Sequence, residues 1–272
     1  MALPFLKWAG GKRWFVDRYE NFLPKSYNRF IEPFLGSGAV FFALEPEHGI
    51  IGDINSQLIS TYLAVRDNWR IVLHYLEIHH VNHSKDYYYK VRANIPRSRY
   101  AKAARFIYLN RTCWNGLYRV NKAGNFNVPV GTKTNVILRT DNFEYIACLL
   151  RNIEIINDDF EAIIDRAEEN DFIFADPPYT IKHNNNGFVK YNEEMFSWRD
   201  QVRLKDAIVR ATERGVQVLV TNAYHPSVVE LYSNFTPQVV SRASVIAADS
   251  SNRGVYEEII ITNNSLLRRD YV

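Results

Sequence analysis

The sequence predicts an α/β fold: a mainly parallel sheet with helices on both faces, interrupted by one inserted segment. Strand-like and helix-like apolar patterns alternate at both ends of the chain, as they do in βαβ units. The alternation stops over residues 61–144, where basic residues accumulate and a hairpin pattern appears. We therefore expect one domain built from residues 1–60 and 145–272, with a mainly helical insert that includes a β-hairpin.

The elements of the first part follow from periodicity and from the residues that interrupt it. Residues 11–23 carry apolar side chains at helical spacing. The stretch "RFIEPF" predicts a short strand that ends at Pro33, and "GSGAVFFAL" predicts a glycine turn that opens a helix. The stretch "GIIGDI" predicts a second strand ending at Asp53, and residues 55–80 have a helical pattern.

The insert and the last part are predicted in the same way. In the insert, "AKAARFIYLN" predicts a helix and "LYRVNKAGNFNVPVG" a hairpin with its turn at residues 122–125. The stretches "IEIIND", "DFIFAD" and "VQVLVTN" predict strands, separated by helices in "DNFEYIACLLRN", "FEAIIDRAEE" and residues 200–214. The stretch "PSVVELYSNF" predicts a short helix, and "PQVVSRASVIA" and "YEEIIITN" a final antiparallel pair. We expect the polar stretch "HNNNGF", residues 183–188, to be mobile.

Composition limits the class of protein. The 272 residues are 47% hydrophobic, enough for one large domain with an insertion. Two cysteines, Cys113 and Cys148, cannot form a disulfide framework and favour a reducing compartment. No Cys/His cluster has zinc-site spacing, so we expect no metal. Without a secretory leader pattern or an apolar run of membrane length, a soluble, cytoplasmic protein is expected.

Positive charge is concentrated in the insert. Between Lys85 and Arg139 there are 12 basic residues and one acid, Asp86, which gives a net charge of +11. The remainder carries −8, since the whole chain carries +3. Such asymmetry predicts a polyanionic partner, with a merely solvated basic surface as the alternative.

The glycine turn in "EPFLGSGAVFF" is typical of a nucleoside site. Two glycines, the first of them Gly36, allow a tight turn and a close approach of a ligand. Asp53 follows the next strand, where a carboxylate can accept hydrogen bonds from ribose hydroxyls. Phe41 replaces the third glycine of the dinucleotide fingerprint, which favours S-adenosylmethionine with its amino-acid tail near Glu32. Alternatively Asp53 caps the following helix, unless Asn55 does so.

The stretch "FIFADPPYT", residues 172–180, ends a buried strand with an acid, two prolines and a tyrosine. An aromatic amine is a poor nucleophile because its lone pair is delocalised into the ring. Asp176 and the carbonyl of Pro177 could each accept a hydrogen bond from such an amine, while Tyr179 stacks on the base. A base inside a duplex would have to be flipped out to reach them. The alternative is a proline-rich turn with a capping aspartate.

Six stretches occur in the order typical of the Dam-type DNA adenine N6-methyltransferases, the α-group of amino-methyltransferases. They are "FLKWAGGK", "FIEPFLGSGAVFF", "GDIN", "LNRTCWNGLYRVNKAGNFNVPVG", "NDDF" and "FADPPYT". The chain resembles this family over nearly its whole length. The resemblance implies a Rossmann-like methyltransferase sheet, S-adenosylmethionine as donor, and duplex DNA with a flipped adenine as substrate. It makes the insert a target-recognition domain and GATC the first candidate for the recognised site.

The resemblance also implies site residues. Asp176, Pro177 and Tyr179 match the catalytic motif. The positions matching donor-binding residues are Trp8, Ala9, Gly10, Lys12, Glu32, Phe34, Gly36, Ser37, Gly38, Asp53, Asp159, Phe160 and Asp176, with Asp159 and Phe160 framing the donor's adenine. The positions matching DNA contacts are Lys7, Arg111, Trp114, Asn115, Leu117, Arg119, Asn121, Pro129 and Lys133.

Among the DNA contacts, Arg119 is similar to an arginine that reads guanine, Leu117 to a thymine contact and Asn115 to a phosphate contact. Lys7 matches a lysine that reads or supports a flanking base. Trp114 stands where some relatives fill the space left by the flipped base, with burial in the core as the alternative.

Alternatives follow from the same residues. Arg111 could instead order the hairpin. Thr132 and Lys133 stand where some GATC-reading relatives have an arginine, which weakens the case for an identical DNA clamp; a different adenine-containing site of restriction type is the alternative to GATC. An RNA or protein amino-methyltransferase would usually have Asn in place of Asp176, and a non-catalytic DNA-binding module would not need Asp53. We expect a bacterial or phage-encoded monomer that works at the nucleoid, with more than one copy able to bind DNA.

Overall fold

The structure is a computed structural model that describes residues 2–121, 123–180, 196–235, 237–243 and 255–263. Helices in these ranges are α1 (Arg13–Tyr19), α2 (Ala39–Leu44), α3 (Ser56–Asn82), α4 (Lys85–Ala93), α5 (Arg99–Thr112), α6 (Phe143–Leu149), α7 (Phe160–Ile164), α8 (Trp198–Glu213) and α9 (Pro226–Leu231). The strands are β1 (Phe30–Glu32), β2 (Gly49–Gly52), β3 (Ile153–Ile156), β4 (Phe172–Ala175), β5 (Gln217–Ala223), β6 (Gln238–Ala243) and β7 (Val255–Thr262).

The predicted α/β fold is confirmed by a mixed sheet in which the strand order is β3-β2-β1-β4-β5-β7-β6. Strand β4 pairs in parallel with β1 and β5, and β2 pairs in parallel with β3. Strand β7 is antiparallel to both β5 and β6, so the predicted final antiparallel pair is also confirmed. This is the Rossmann-like arrangement expected of a methyltransferase sheet.

The chain divides into two compact units. The first comprises Met1–Val16 and Leu35–Asn157, and the second Asp17–Phe34 and Asp158–Val272. The predicted insert, residues 61–144, lies within the first unit, and its expected boundary at residue 60 falls inside helix α3. The two compact units differ from the predicted division, so a separate domain at residues 61–144 stays a prediction. The mobile stretch expected at residues 183–188 lies outside the described residues.

In the first unit, helix α3 packs against α5, α6 and strand β3. Helix α5 buries most of its length: Ala104 and Ile107 are fully buried, and Phe106 packs on Trp8 and Tyr118. Asn68 has non-helical backbone angles and marks a kink in α3.

The predicted hairpin exists, but isolated antiparallel bridges hold it and regular strands do not form. Val120 is bridged to Phe126, and Cys113 to Val130. The side chain of Asn121 orders the turn by accepting hydrogen bonds from the backbone N–H groups of Ala123 and Asn125, each at 3.0 Å.

In the second unit, strand β4 is buried at every position, as expected of a central strand. Helix α8 begins with a capping box in which Ser197 and Asp200 bond each other's backbone N–H groups. The cap fixes the start of α8, whose buried face includes Gln201 and Leu204. From this face Gln201 contacts Pro178, which follows β4, and Asn222 on β5.

Candidate functional site

The glycine turn of the first unit adopts backbone angles that require glycine. Gly36 and Gly38 have φ of +47° and +65°, the left-handed region that other residues rarely adopt. A side chain at Gly36 would also place its Cβ 2.7 Å from Cδ1 of Trp8, so the indole ring packs directly over the turn. The structure thus brings together Trp8 and the glycine turn, two elements that the sequence predicted for one ligand.

Asp53 is fastened to the same turn. Its Oδ2 accepts the backbone N–H of Gly36 at 3.1 Å, and its Oδ1 accepts that of Asn55 at 2.9 Å. The N-cap of α3 is Asn55, which accepts from Gln57 and Leu58, so the helix-cap alternative for Asp53 is wrong. Burial raises the pKa of the Asp53 carboxyl, and the two N–H donors oppose the shift. A carboxylate has about four lone-pair sites, so these two bonds leave capacity for two ribose hydroxyls.

The N-terminal segment completes this group. Lys12 is buried, and its Nζ donates to the carbonyl of Gly10 at 3.1 Å. Gly10 has φ of +80°, and a Cβ there would meet nothing within 4 Å. Ser37 is buried in the turn, whereas Ala9 is exposed. The Gly10 backbone is therefore open, and together with the remaining acceptor capacity of Asp53 it is compatible with a polar ligand.

The second unit contains an aromatic cluster at Phe34, Phe160 and Phe196. The rings of Phe34 and Phe160 stack with centroids 5.3 Å apart, and Phe196 lies edge-on to Phe34 at 5.6 Å. Asp159 caps helix α7 by accepting the N–H of Glu161 at 3.0 Å. Glu32, at the end of β1, is buried. The structure therefore places the predicted pair Asp159 and Phe160 at this aromatic cluster, with Phe160 itself buried in it.

Sequence reasoning missed Arg203 in this group. Its Nη2 donates to Oδ1 of Asp159 at 2.7 Å, and its guanidinium lies 4.8 Å from the centre of the Phe160 ring. It also pairs with Glu161 and Asp200. Arg203 and Phe196 are distant from the "NDDF" motif in the chain, and helical periodicity of α8 was the signal that could have placed Arg203 on the packed side.

The predicted catalytic motif follows β4 and is supported by buried polar side chains. The hydroxyl of Thr221 donates to Oδ1 of Asp176 at 2.8 Å, and the hydroxyl of Tyr179 bonds Oε2 of Glu258 at 2.7 Å. Thr221 and Glu258 are 1% and 2% exposed. Pro177 is buried and, as proline, contributes a carbonyl without an N–H.

Gln201 supports the same loop from helix α8. Its Nε2 lies 3.5 Å from the carbonyl of Pro178 and 3.4 Å from the hydroxyl of Thr180, and its Oε1 accepts from Asn222 at 3.0 Å. Together Gln201, Thr221, Asn222 and Glu258 form what we term the polar cradle. A capping aspartate in a plain proline-rich turn would not need this set of buried partners.

The hairpin of the first unit presents several predicted DNA contacts at the surface. Arg119 is exposed, and its Nε donates to Oδ1 of Asn127 at 2.9 Å. Trp114 is 52% exposed, so its burial in the core, the alternative reading, is wrong. Asn115 has φ of +55°, and Leu117 is half-buried. Exposed side chains on a hairpin are suited to entering a DNA groove.

Other predicted DNA contacts lie around the base of the hairpin. Pro129 and Lys133 are exposed. The backbone of Lys7 is clamped by Asn110, whose side chain accepts the Lys7 N–H and donates to the Lys7 carbonyl, both at 2.8 Å. Burial, then the nearby charge of Lys133, lowers the pKa of the Lys7 ammonium. The ring of Trp8 stacks on Tyr118 of the hairpin at 5.5 Å.

The DNA contact expected of Arg111 is corrected by the structure. Arg111 is 1% exposed, so its guanidinium cannot touch a ligand at the surface. It donates to both carboxylate oxygens of Asp141 at 2.6 Å and to the carbonyls of Phe5 and Val136. Arg111 therefore ties the N-terminal segment and the residues after the hairpin to α5, a structural role.

The charge of the insert is also less accessible than its sequence implies. Arg105 is buried, where it donates to the carbonyls of Val91 and Arg92. Arg99 is paired with Asp67 of α3. The basic composition therefore combines internal structural arginines, including Arg111, with an exposed set that contains Arg119.

Comparison with known proteins decides the family. The family model for D12 class N6 adenine-specific DNA methyltransferases matches residues 8–246. The chain belongs to this family. It is 39% identical to the type II methyltransferase M1.LlaDCHI of Lactococcus lactis subsp. cremoris, over 96% of this chain and 95% of that protein. It is 34% identical to M.MjaIII of Methanocaldococcus jannaschii, over 95% and 98%. It is 30% identical to the DNA adenine methylase of Escherichia coli K12, over 94% and 93%.

Membership confirms the resemblance seen in the sequence. This D12-class chain is an adenine-specific DNA methyltransferase, with DNA as substrate and S-adenosylmethionine as methyl donor. The residues that would hold the donor and the DNA are the groups described above, and their roles remain predictions. Across the described part of the chain, every helix is too short or too polar to span a membrane.

Proposed function

We propose that the enzyme is site-specific: it methylates N6 of an adenine flipped out of a short duplex site, with GATC as the first candidate. The observation that carries the proposal is the acceptor pair of Asp176 and the Pro177 carbonyl at the end of β4, with the Asp176 carboxylate held by Thr221. Two fixed acceptors at the end of a buried strand are what an exocyclic amine with two N–H donors requires.

The chemistry follows from those acceptors. Hydrogen bonds from N6 to Asp176 and to the Pro177 carbonyl localise the nitrogen lone pair and stabilise the positive charge that develops as N6 attacks. When bound, S-adenosylmethionine supplies an electrophilic methyl group on sulfur. The transfer forms the N6–carbon bond, breaks the carbon–sulfur bond with its electron pair going to sulfur, and releases one N6 proton to solvent. Tyr179, held at its hydroxyl by Glu258, offers its ring to the adenine face.

Donor binding is assigned to two groups of residues. In the first unit, Asp53 would accept the ribose hydroxyls, with Trp8 and Lys12 beside the glycine turn. In the second unit, Asp159 and Phe160 would frame the adenine of the donor. The support for these roles is the chemistry of the acceptors and of the aromatic faces.

Site specificity is assigned to the hairpin. Arg119 would read a guanine, because its exposed guanidinium can donate two parallel hydrogen bonds to O6 and N7. Leu117 would contact a thymine methyl group and Asn115 a phosphate. Trp114, exposed beside them, could fill the gap left by a flipped adenine. Because Lys133 replaces the arginine of some relatives, the DNA clamp need not be identical to theirs, and a different adenine-containing site is the second candidate.

Incubation of the purified protein with labelled S-adenosylmethionine and unmethylated plasmid tests the proposal. We expect N6-methyladenine in the digest, and sequencing of methylated positions should return one short site. Absence of N6-methyladenine while calorimetry shows intact donor binding would end the claim of catalysis. Methylation at scattered adenines would end the claim of specificity, and a site other than GATC would select the second candidate.

Base flipping is tested separately with duplexes that carry 2-aminopurine in place of the target adenine. This base fluoresces weakly when stacked and strongly when it leaves the stack. We expect the enzyme to increase fluorescence at the target position and not at a neighbouring position. Equal, small changes at both positions would show that the target base stays in the helix.

A further inference from the structure

Asn127 lies opposite Arg119 on the returning arm of the hairpin, and the two residues are joined twice. The backbone N–H of Asn127 donates to the carbonyl of Arg119 at 3.1 Å. The side chains are joined by the bond from Nε of Arg119 to Oδ1 of Asn127 at 2.9 Å. Asn127 is half-buried, whereas Arg119 is exposed. The half-buried Asn127 side chain therefore holds the solvent-exposed side chain of Arg119.

The arms on which both residues lie are themselves anchored. Val120 and Phe126, the neighbours of Arg119 and Asn127, form an antiparallel bridge. Phe126 is buried and packs with Tyr118, whose ring stacks in turn on Trp8. The position of Asn127 is thus fixed by the packing of its neighbour, and the bond to Arg119 starts from a fixed acceptor.

The bond selects which donors of Arg119 remain for DNA. A guanidinium has five N–H donors, one on Nε and four on its two Nη atoms. With Nε occupied by Asn127, the plane of the guanidinium is set and the Nη atoms remain as a pair of donors. Two donors in one plane are what O6 and N7 of guanine accept, and presetting that plane reduces the ordering cost on binding.

We propose that Asn127 is a specificity-determining residue, which positions Arg119 for guanine by holding its Nε. The proposal rests on the proposed role of Arg119 in the site-specific enzyme. Asn127 acts through Arg119 and does not touch the base. The opposing explanation is that Asn127 contacts DNA itself through its amide N–H₂ group. The proposal depends on Oδ1 of Asn127, whereas the opposing explanation depends on Nδ2.

Three variants of the hairpin separate these explanations. Asn127→Ala removes the acceptor and the amide N–H₂, whereas Asn127→Asp keeps an acceptor oxygen for Nε and removes the N–H₂. Asn125→Ala is the matched control, because Asn125 is an exposed asparagine in the same hairpin whose side chain forms no bond with the rest of the described chain.

The probe is a set of duplexes with one central adenine and randomised flanking base pairs, sequenced after methylation. The readout is the ratio of rates for guanine and for other bases at the position that Arg119→Ala relaxes. We expect Asn127→Ala to lower that ratio by about fivefold, the value of one ordinary hydrogen bond. We expect Asn127→Asp to keep the ratio within about twofold while its added charge weakens affinity for all duplexes alike, and Asn125→Ala to leave both unchanged.

The outcomes that overturn the proposal are distinct from failure of the proposed function. An unchanged ratio for Asn127→Ala, with Arg119→Ala relaxing the same position, shows that Arg119 reads guanine unaided. Equal losses in the Ala and Asp variants show a direct contact from the amide N–H₂. If Arg119→Ala relaxes no position, the role of Arg119 itself is wrong. If the Ala variant has a lowered melting temperature and does not bind donor, Asn127→Leu, which keeps the size of asparagine and also lacks the acceptor for Nε, replaces it with the same expected loss.

Discussion

The loop that carries Asp176 and the hairpin that carries Arg119 are supported in opposite ways. Side chains of the polar cradle, such as Thr221 and Glu258, are buried and contact the residues of the motif directly. The hairpin, by contrast, is held by isolated bridges, and side chains predicted to contact DNA, such as Arg119 and Trp114, are exposed to solvent. Buried hydrogen bonds fix a geometry tightly because an unsatisfied buried group costs about 1–3 kcal/mol, whereas exposed ones can exchange with water.

This difference fits the tasks proposed for the two regions. Transfer to a weak nucleophile depends on acceptors placed to within a fraction of an ångström. Reading of a base sequence depends on side chains that reach out of the protein, and such side chains can be exchanged without disturbing a core. We therefore expect changes in the cradle to lower the rate, and changes in the exposed hairpin residues to change the choice of site.

The largest effect is expected from Asp176→Ala. Loss of the carboxylate removes the acceptor that activates N6, so turnover should fall by about 1000-fold or more. DNA affinity, measured by fluorescence anisotropy, should stay nearly unchanged, because the hairpin is intact. Asp206→Ala, at an exposed acid of helix α8 in the same unit, is the control and should keep full turnover. A turnover in Asp176→Ala within tenfold of the unaltered enzyme would contradict the role of Asp176.

Arg111→Met tests the interior support of the hairpin region. It leaves Asp141, whose side chain is 7% exposed, buried without its partner. Breaking a buried pair in this way costs about 3–5 kcal/mol, so the free energy of unfolding in urea should fall by that amount. Arg97→Met, at an exposed arginine of the same insert, should change it by less than about 0.5 kcal/mol. Equal, small changes in the free energy of unfolding of both variants would contradict the buried, structural role of Arg111.

Arg111 also shows where prediction from sequence stops. A run of arginines predicts a positively charged segment, but it does not say which side chains turn inward. Arg105 and Arg111 turn inward because backbone carbonyls and Asp141 face them, and those partners lie 13–106 positions away in the chain. The charge pattern was therefore informative about the partner and uninformative about each residue.

The glycine turn was predictable because its determinants are local. Gly36, Gly38 and Asp53 lie within one strand–turn–helix–strand unit, and positive φ allows few residue types. The polar cradle was not predictable in the same way. Gln201, Thr221 and Glu258 join the motif from α8, β5 and β7, and only the order of the strands brings them to one place.

Arg119→Ala should change the choice of site more than the rate. Losing a bidentate contact to guanine costs about 1–3 kcal/mol of discrimination at one base pair. Sequencing of methylated plasmid should show one position of the site relaxed, with the others retained. Lys102→Ala, at an exposed lysine of α5, is the control and should weaken binding to all sequences alike, if at all. Uniform weakening in Arg119→Ala as well would place Arg119 on a phosphate.

The smallest and most selective effect is expected from a pair of Thr→Val substitutions. Thr221→Val keeps the shape of the side chain and removes the hydroxyl that donates to Asp176. A hydrogen bond to a charged group is worth about 1.5–3 kcal/mol, so we expect kcat to fall by about tenfold or more while KM for DNA is unchanged. Thr212→Val is the matched control. The Thr212 hydroxyl is buried and has no hydrogen-bond partner in the described part of the chain, so its loss should be neutral or stabilising.

If both variants lower kcat equally, the effect is general packing, and the cradle does not position Asp176. If Thr221→Val lowers kcat alone, the Asp176 carboxylate depends on a hydroxyl of the neighbouring strand β5, 45 residues further along the chain, and the rate and the choice of site can be altered independently.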